Sequence, residues 1–199
     1  MTIRYLYSLV IAFLINGCSS TAGKITDTET KPVIDMIENL DPDMITMTYS
    51  LDNMDRGNHD YYNQPLVIQQ SFDLASLKRG TVILFKDNNN NEQISRIVGL
   101  PSEKIQIKKG EIFIDSQFLD TFYGKAHRAG LEMKEYMKAM EEEDAEYHSD
   151  SVEEIFEMDL EEMKLKSDEY FLISDNWLRG AMVRIDENQI TGIILGYEK

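Results

Sequence analysis

From residue 44 to residue 119 the sequence is a series of short apolar runs, each closed by a turn signal. Alternating apolar and polar residues at 105–107 and 112–114 predict strands with one buried face. The runs are MITMTYSL, PLVIQ, GTVILFK, ISRIVGL, KIQIKKG and EIFIDSQFL. Because each run can bury its apolar face only against another element, this series predicts a mainly β fold.

Turn residues predict how the strands connect. Lys109 and Gly110 favour a hairpin turn, and the asparagine-rich residues 87–91 favour a hairpin tip over a ligand site. Three further runs predict strands near the carboxyl end: EYFLISDN, AMVRI and QITGIILGYE. We therefore interpret residues 33–199 as one β domain, and the apolar spacing at residues 33–40 predicts a short helix at its start.

An insertion at about residues 124–167 interrupts the strand pattern. Apolar residues recur there at helical spacing and predict two helices. The first stripe is Leu131, Met133, Met137 and Met140, and the second is Val152, Ile155, Phe156, Leu160 and Met163. Ser151 and Glu154 fit a capping box for the second helix. Methionine at these positions favours core packing, although such stripes also bind varied apolar partners.

The insertion carries most of the negative charge. Between Glu132 and Glu162 there are 14 acidic and 2 basic residues, which is −12 of the net −16 and leaves −4 for the rest. This excess favours a solvated helical face, with an interaction or cation-attracting surface as the alternative. The net charge argues against nucleic acid as a partner, because a phosphate-binding surface must supply Lys and Arg.

The amino terminus has the pattern of an export signal. Arg4 precedes an apolar run at residues 5–15, which is shorter than the ~20 residues that a membrane-spanning helix needs. The segment INGC, ending at Cys18, resembles a bacterial lipobox, whose cysteine is lipidated. We therefore expect a signal at residues 1–18, a flexible tether at 19–32 and lipid anchoring on the extracytoplasmic face of the cell membrane.

Several stretches, in order, resemble the bacterial type I signal peptidases, peptidase family S26. They cover most of the chain outside the insertion and the amino terminus. The stretches are KRGTVILFK at 78–86, ISRIVGLP at 94–101, EIFIDSQFL at 111–119, YFLISDN at 170–176 and NQITG at 188–192. The combination is more specific than any single piece.

The resemblance implies a coiled, mostly antiparallel β domain that carries the acidic helical insertion. It also implies the family's activity, the cleavage of signal peptides from exported proteins. In this family a serine hydroxyl attacks the scissile carbonyl, and a lysine kept neutral by burial accepts its proton. No cofactor or metal is expected for this chemistry.

Both positions of the serine–lysine dyad are substituted. Asn53 stands where the family has its serine, although the following Met54 matches. Ser95 stands where the family has its lysine, next to a matching Arg96. An amide is not a nucleophile and a serine hydroxyl is not a base at neutral pH, so we predict no intact catalytic residue.

A third family motif, GDN, is only partly kept. Asp175 and Asn176 match it, whereas its glycine is Ser174 and the following loop is shortened to residues 177–180. If Asn53 and Ser95 face each other across a cleft, we expect them to hydrogen-bond and to fill the polar space left by the dyad.

Other chemistries remain as alternatives. A displaced dyad would need Ser50 or Ser71 beside Lys78 or Lys86. The three histidines have neither metal-ligand spacing nor a triad arrangement, which favours surface or hydrogen-bonded side chains: His59, His127 and His148.

The functional hypothesis is a membrane-tethered, non-catalytic relative that binds extended peptides, signal peptides or another exported protein. One alternative is an active peptidase with displaced catalytic residues. The other is an interaction lipoprotein that acts through its acidic insert.

Overall fold

The computed structural model describes residues 23–180 and 182–199, which form β strands and two short helices. The predicted signal and Cys18 lie outside the described residues. Within the described ranges no helix is long and apolar enough to cross a membrane.

Most of the elements follow one another as the apolar runs predict, whereas the strands at residues 24–25, 36–37 and 160–164 lie outside the runs predicted as strands. The strands are β1 (Lys24–Ile25), β2 (Met36–Ile37), β3 (Met44–Thr48), β4 (Pro65–Gln69), β5 (Val82–Lys86), β6 (Glu92–Gly99), β7 (Lys104–Lys108), β8 (Glu111–Ile114), β9 (Gln117–Leu119), β10 (Leu160–Lys164), β11 (Glu169–Ile173), β12 (Met182–Asp186) and β13 (Ile190–Glu198). The helices are α1 (Met133–Glu142) and α2 (Ser149–Phe156). The prediction of a mainly β chain is therefore confirmed.

The larger sheet has the strand order β12-β11-β6-β5-β13-β4-β3, and β2 pairs with β13 in parallel. The strands β5 and β6 pair in antiparallel register, with Ile83 opposite Ser95. The asparagine-rich segment closes this hairpin, and the Asp87 side chain accepts hydrogen bonds from the backbone N–H groups of Asn89 and Asn91. The predicted hairpin tip is confirmed, because the turn satisfies its own polar groups.

The smaller sheet has the order β1-β9-β8-β7-β10. The predicted turn at Lys109 and Gly110 joins β7 to β8, and both residues have the positive φ angles, 47° and 71°, of a two-residue hairpin loop. The inward residues of β7 and β8 are fully buried and form the floor of one core cluster.

The insertion packs on that cluster. The helical prediction is confirmed for α1 and α2, whose Tyr136 and Phe156 rings stack 6.2 Å apart. It is wrong for the last part of the second stripe, because Leu160 and Met163 belong to β10, which pairs with β7. The smaller sheet thus takes its edge strand from the insertion, since the edge of β7 would otherwise be unpaired.

The capping box predicted at Ser151 and Glu154 is also wrong. The residue before α2 is His148, and it makes no side-chain cap. A reciprocal capping box lies instead at the start of α1, between Glu132 and Glu135.

The amino-terminal part of the domain is extended. The prediction of a helix at residues 33–40 is wrong. Met36 and Ile37 form β2, which pairs in parallel with β13, and the Tyr197 N–H donates to the carbonyl of Asp35 beside it. The described part of the expected tether lies against the smaller sheet, where β1 pairs with β9 and Lys24 forms an ion pair with Asp120.

The turn at Gly110 provides a test of how the insertion is attached. A Cβ atom there would lie 2.0 Å from the carbonyl oxygen of Phe156, and the φ angle of +71° is itself unfavourable for alanine. We expect Gly110→Ala to lower the free energy of unfolding by about 2 kcal/mol or more, measured by urea denaturation.

Gly23→Ala is the matched control. A Cβ atom at Gly23 meets only the flexible side chain of Gln117, at 3.3 Å, so a change within about 0.5 kcal/mol is expected. Equal effects at both glycines would contradict this account of the turn.

Candidate functional site

A buried ion pair ties the centre of the larger sheet to the segment after β11. Arg96 on β6 donates from Nε and Nη2 to the two carboxylate oxygens of Asp175, at 2.7 and 2.5 Å. The Asp175 side chain is fully buried and that of Arg96 is 3% exposed. Burial alone lowers the pKa of Arg96, but the adjacent carboxylate outweighs it and raises the pKa, so the guanidinium stays charged.

The remaining guanidinium donors of Arg96 reach two other segments. Nη1 donates to the carbonyl of Gly80 at 2.6 Å and to Thr30 Oγ1 at 3.3 Å. The rings of Phe122 and Tyr123 each lie 5.2 Å from the guanidinium carbon. Arg96 therefore connects the amino-terminal segment, β6 and the segment after β9, and its buried charge is compensated on several sides.

The substituted positions Asn53 and Ser95 come together in one cleft of about 380 Å³. Most of its wall is apolar, with a polar floor. The lining residues are Leu51, Asn53, Phe85, Asp87, Gln93, Ile94, Ser95, Ser174, Arg179, Gly180 and Val183. The cleft thus lies beside the end of the larger sheet at which β6, β11 and β12 meet.

The polar floor is joined through Ser174. Asn53 Nδ2 donates to the carbonyl of Ile94 at 2.9 Å and to Ser174 Oγ at 3.1 Å. The hydroxyls of Ser95 and Ser174 lie 3.5 Å apart. The expected direct hydrogen bond between Asn53 and Ser95 is absent from the contacts of the described residues, because Ser174 lies between them.

Asn53 keeps one polar atom without a partner. Its side chain is buried and its Oδ1 makes no hydrogen bond within the described residues. A buried acceptor without a partner costs free energy.

Met54 and Asn176 hold the cleft loop in place. Met54 is fully buried, and its sulfur accepts a hydrogen bond from the backbone N–H of Asp175 at 3.5 Å. The backbone N–H of Asn176 donates to the carbonyl of Asn53 at 2.8 Å. Both residues therefore position Asn53 next to the buried ion pair.

No amine or imidazole lines this cleft within the described residues, and its one cation is Arg179. The guanidinium of Arg179 is 55% exposed and lies 3.7 Å from Asp52. An arginine stays protonated at physiological pH, so it does not serve as a base. Among the described residues the lining therefore holds the hydroxyls of Ser95 and Ser174, the guanidinium of Arg179 and one carboxylate, that of Asp87, which accepts hydrogen bonds from the backbone of its own turn.

The displaced dyad has no counterpart at the cleft. Ser50 and Ser71 are exposed and do not line it. Lys78 lies 3.0 Å from Glu29, and the backbone carbonyl of Lys86 accepts a hydrogen bond from Gln189. The structure brings none of these four together.

Two residues of this region, Ser174 and His127, make contacts that the sequence did not predict. Ser174 was noted only as a departure from the family glycine, and its spacing from Asn53 along the chain gave no sign of a contact. The sequence gives His127 neither metal-ligand spacing nor a triad arrangement. His127 packs against Phe122 with the ring centres 5.6 Å apart, and its Nδ1 accepts from the Gly130 N–H at 3.3 Å.

Burial favours the neutral form of His127 in the folded protein. Its Nε2 is buried and makes no hydrogen bond within the described residues. Burial lowers the pKa of His127, and the nearby Asp175 offsets this only in part because Arg96 and Arg56 also lower it. In residues 23–180 and 182–199, no cluster of three or more His, Cys, Asp or Glu side chains is arranged to hold a metal ion.

Comparisons with known proteins agree on one family. The model of the family "Signal peptidase, peptidase S26" matches residues 6–181. Signal peptidase I of Bacillus caldolyticus is 25% identical over 69 residues, which are 35% of this chain. The matched part spans only 38% of that relative's length. The crystal structure of a signal peptidase I from Enterococcus faecalis V583 matches with a TM-score of 0.38 and 15% identity, over 62% of this chain and 98% of that chain.

The buried ion pair can be tested by removing one charge. We expect Asp175→Asn to lower the free energy of unfolding by about 3–5 kcal/mol, because Arg96 is left charged and unpaired in the interior. Urea denaturation measures this change. The control is Asp120→Asn, which breaks an exposed pair and should cost about 1 kcal/mol or less. Similar losses for both variants would contradict the assigned role.

His127 predicts a pH dependence of stability. Its folded pKa is lowered, so the unfolded chain binds more protons once the pH falls below about 6.5. Stability should therefore be complete above that pH and decline as the pH falls toward the folded pKa. His127→Asn retains an acceptor near Nδ1 but does not titrate, and should lose less stability between pH 7.5 and 5.5. Urea midpoints measure this, and identical losses would be contrary to expectation.

Proposed function

The chain belongs to the signal peptidase S26 family, and on that premise we propose that it is a non-catalytic, membrane-tethered member that binds extended peptides. The observation that carries the proposal is the cleft at Asn53, which contains hydroxyls and an amide but no amine or imidazole within the described residues. Proton removal from a serine needs a base. The one carboxylate of the lining, that of Asp87, accepts hydrogen bonds from Asn91 and Asn89 that lower its pKa, which makes it a weaker base. The peptide-binding part of the site can be kept without an amine or imidazole.

An edge strand beside the cleft supports peptide binding. β12 pairs with β11 on one side and is the end of the strand order in the larger sheet. Its Val183 side chain lines the cleft. A peptide in extended conformation can add to such an edge through backbone hydrogen bonds and place alternate side chains in an adjoining groove.

The lining favours a small apolar side chain. Leu51, Phe85 and Val183 contribute apolar surface, whereas the polar floor at Ser95 is buried. The unpartnered Oδ1 of Asn53 offers one acceptor for a peptide N–H. The proposed ligand is therefore an extended segment of an exported protein, such as a signal peptide.

The tether is part of the same proposal. The lipobox-like segment ending at Cys18 supports lipid attachment, and only five residues separate Cys18 from β1 at Lys24. At about 3.5 Å per residue this would hold the smaller sheet within ~20 Å of the attachment point. We place the protein on the extracytoplasmic face of a bacterial cell membrane, with peptides or another exported protein as partners.

A cleavage and binding assay tests this function. We expect the purified protein to leave a fluorogenic signal-peptide substrate intact while binding a labelled copy, measured by fluorescence anisotropy. Val183→Asp should weaken binding about tenfold or more, because a charge then faces the apolar wall. Val33→Asp is the control, since Val33 is 74% exposed and lies outside the cleft lining.

Three outcomes would count against the proposal. Cleavage that survives Asn53→Ala would show an active enzyme with another centre. Loss of that cleavage in Ser50→Ala or Ser71→Ala would identify a displaced nucleophile. Binding that Val183→Asp leaves unchanged would place the peptide outside the cleft.

A further inference from the structure

A second concave surface lies on the insertion side of the molecule, away from the cleft. It is an apolar groove of about 330 Å³ where β10 of the smaller sheet meets β11 and β12 of the larger sheet. Three of its six lining residues are methionines. The lining is Met158, Leu160, Met163, Phe171, Met182 and Arg184. We call this surface the methionine groove.

The methionine groove is partly open to solvent. Met158, Met163 and Met182 are each only half-buried, although the Phe171 floor is buried. Methionine side chains are unbranched and polarizable, so they adapt to apolar surfaces of different shape. A half-exposed methionine lining costs free energy in the isolated protein that an apolar ligand would recover.

An acidic concavity borders the groove and shares Met158 with it. Its other lining residues are carboxylates from α2 and the segment after it: Asp150, Glu153, Glu154, Glu157 and Asp159. None of these five takes part in an ion pair within residues 23–180 and 182–199. Their charge is therefore available to a ligand.

This charge arrangement does not stabilise α2. Glu153, Glu154 and Glu157 lie in and just after its last turns, where the helix dipole favours cations, and its last turn has no basic residue. Like charges on neighbouring turns add a further cost. The helix terminus and the carboxylates thus combine into one region of negative potential beside the groove.

The carboxylates do not form a metal site. Among the described residues no group of three or more His, Cys, Asp or Glu side chains could hold a metal ion. At the far end of the groove Arg184 is already near Glu169, at 3.5 Å. A ligand complementary to this surface has basic side chains opposite the carboxylates and an apolar segment opposite the methionines.

We propose that the methionine groove and the acidic concavity together bind a peptide segment in which basic residues adjoin a short apolar run. The apolar run lies on Met163 and Phe171, and the basic residues lie over the carboxylates of α2. Charge complementarity selects this occupant, because the insertion carries −12 of the net −16. The proposal does not depend on peptide binding in the cleft.

Fluorescence anisotropy tests the role of the acidic concavity. The labelled peptide is rich in lysine in one half and in leucine and alanine in the other, and is called the lysine–leucine peptide. We expect Glu153→Gln/Glu154→Gln/Glu157→Gln to raise the Kd about tenfold at low salt and to reduce its salt dependence. The matched control is Glu141→Gln/Glu143→Gln/Glu146→Gln. It removes the same charge from exposed positions of the insertion outside the concavity, and should change the Kd about twofold or less.

Two further arms test the apolar part. Met163→Ser/Met182→Ser should raise the Kd about tenfold for the same peptide, because the apolar half loses its contact surface. A second peptide, in which serine replaces the leucine and alanine half, should bind more weakly, and the methionine variant should not change its Kd. Urea denaturation confirms that each variant is folded. Leu51→Asp, in the cleft and outside the groove lining, should leave binding of the lysine–leucine peptide intact.

The outcomes separate the possibilities. Equal losses in the two glutamine triples would show nonspecific charge attraction and overturn the proposal. No effect of the methionine variants would also overturn it, because the groove would then contribute nothing. Loss of binding in Leu51→Asp alone would move the peptide to the cleft, which supports the proposed function and rejects this second surface.

Discussion

The ion pair between Arg96 and Asp175 is the interaction on which the described domain depends. It brings a strand from the middle of the larger sheet against the segment that follows β11, more than seventy residues later in the chain. Because both charges are removed from water, the pair is retained only with its full set of partners. Those partners come from three segments that are distant from one another in the sequence: Thr30, Gly80, and the rings of Phe122 and Tyr123.

The same pair lies apart from the cleft residues, although the two sets are neighbours along the chain. Arg96 and Asp175 face one side of the segment, and Ser95 and Ser174 face the cleft on the other. Neighbouring residues of a strand point in opposite directions, so substitutions in the cleft leave the buried pair in place. Asn53 then connects the two sides, because its backbone carbonyl contacts Asn176 and its amide contacts Ser174.

The two concave surfaces differ in chemistry. The cleft is an apolar slot with a small, largely satisfied polar floor, and an edge strand runs beside it. The methionine groove is adaptable and borders uncompensated carboxylates. The insertion forms the second surface through two contacts. Its strand β10 pairs with β7 and completes the smaller sheet. The Gly110 N–H donates to the carbonyl of Met158 at 2.9 Å, and this hydrogen bond holds the segment that follows α2.

Local pattern in the sequence determined most of the strands, the turns at residues 87–91 and 109–110, and the helices α1 and α2, because alternation and turn chemistry act over a few neighbouring residues. Local pattern gave wrong predictions for segments whose strand partners are distant in the sequence. Residues 33–40 have helical spacing but pair with β13, and Leu160 and Met163 continue a helical stripe but complete the smaller sheet. In each case an unpaired strand edge outweighs local preference. Asn53 and Ser95 could be selected from the sequence as candidate site residues, whereas the position of Ser174 between them and the burial of His127 could not be predicted. Those depend on contacts between segments far apart in the chain, which only the tertiary structure brings within hydrogen-bond distance.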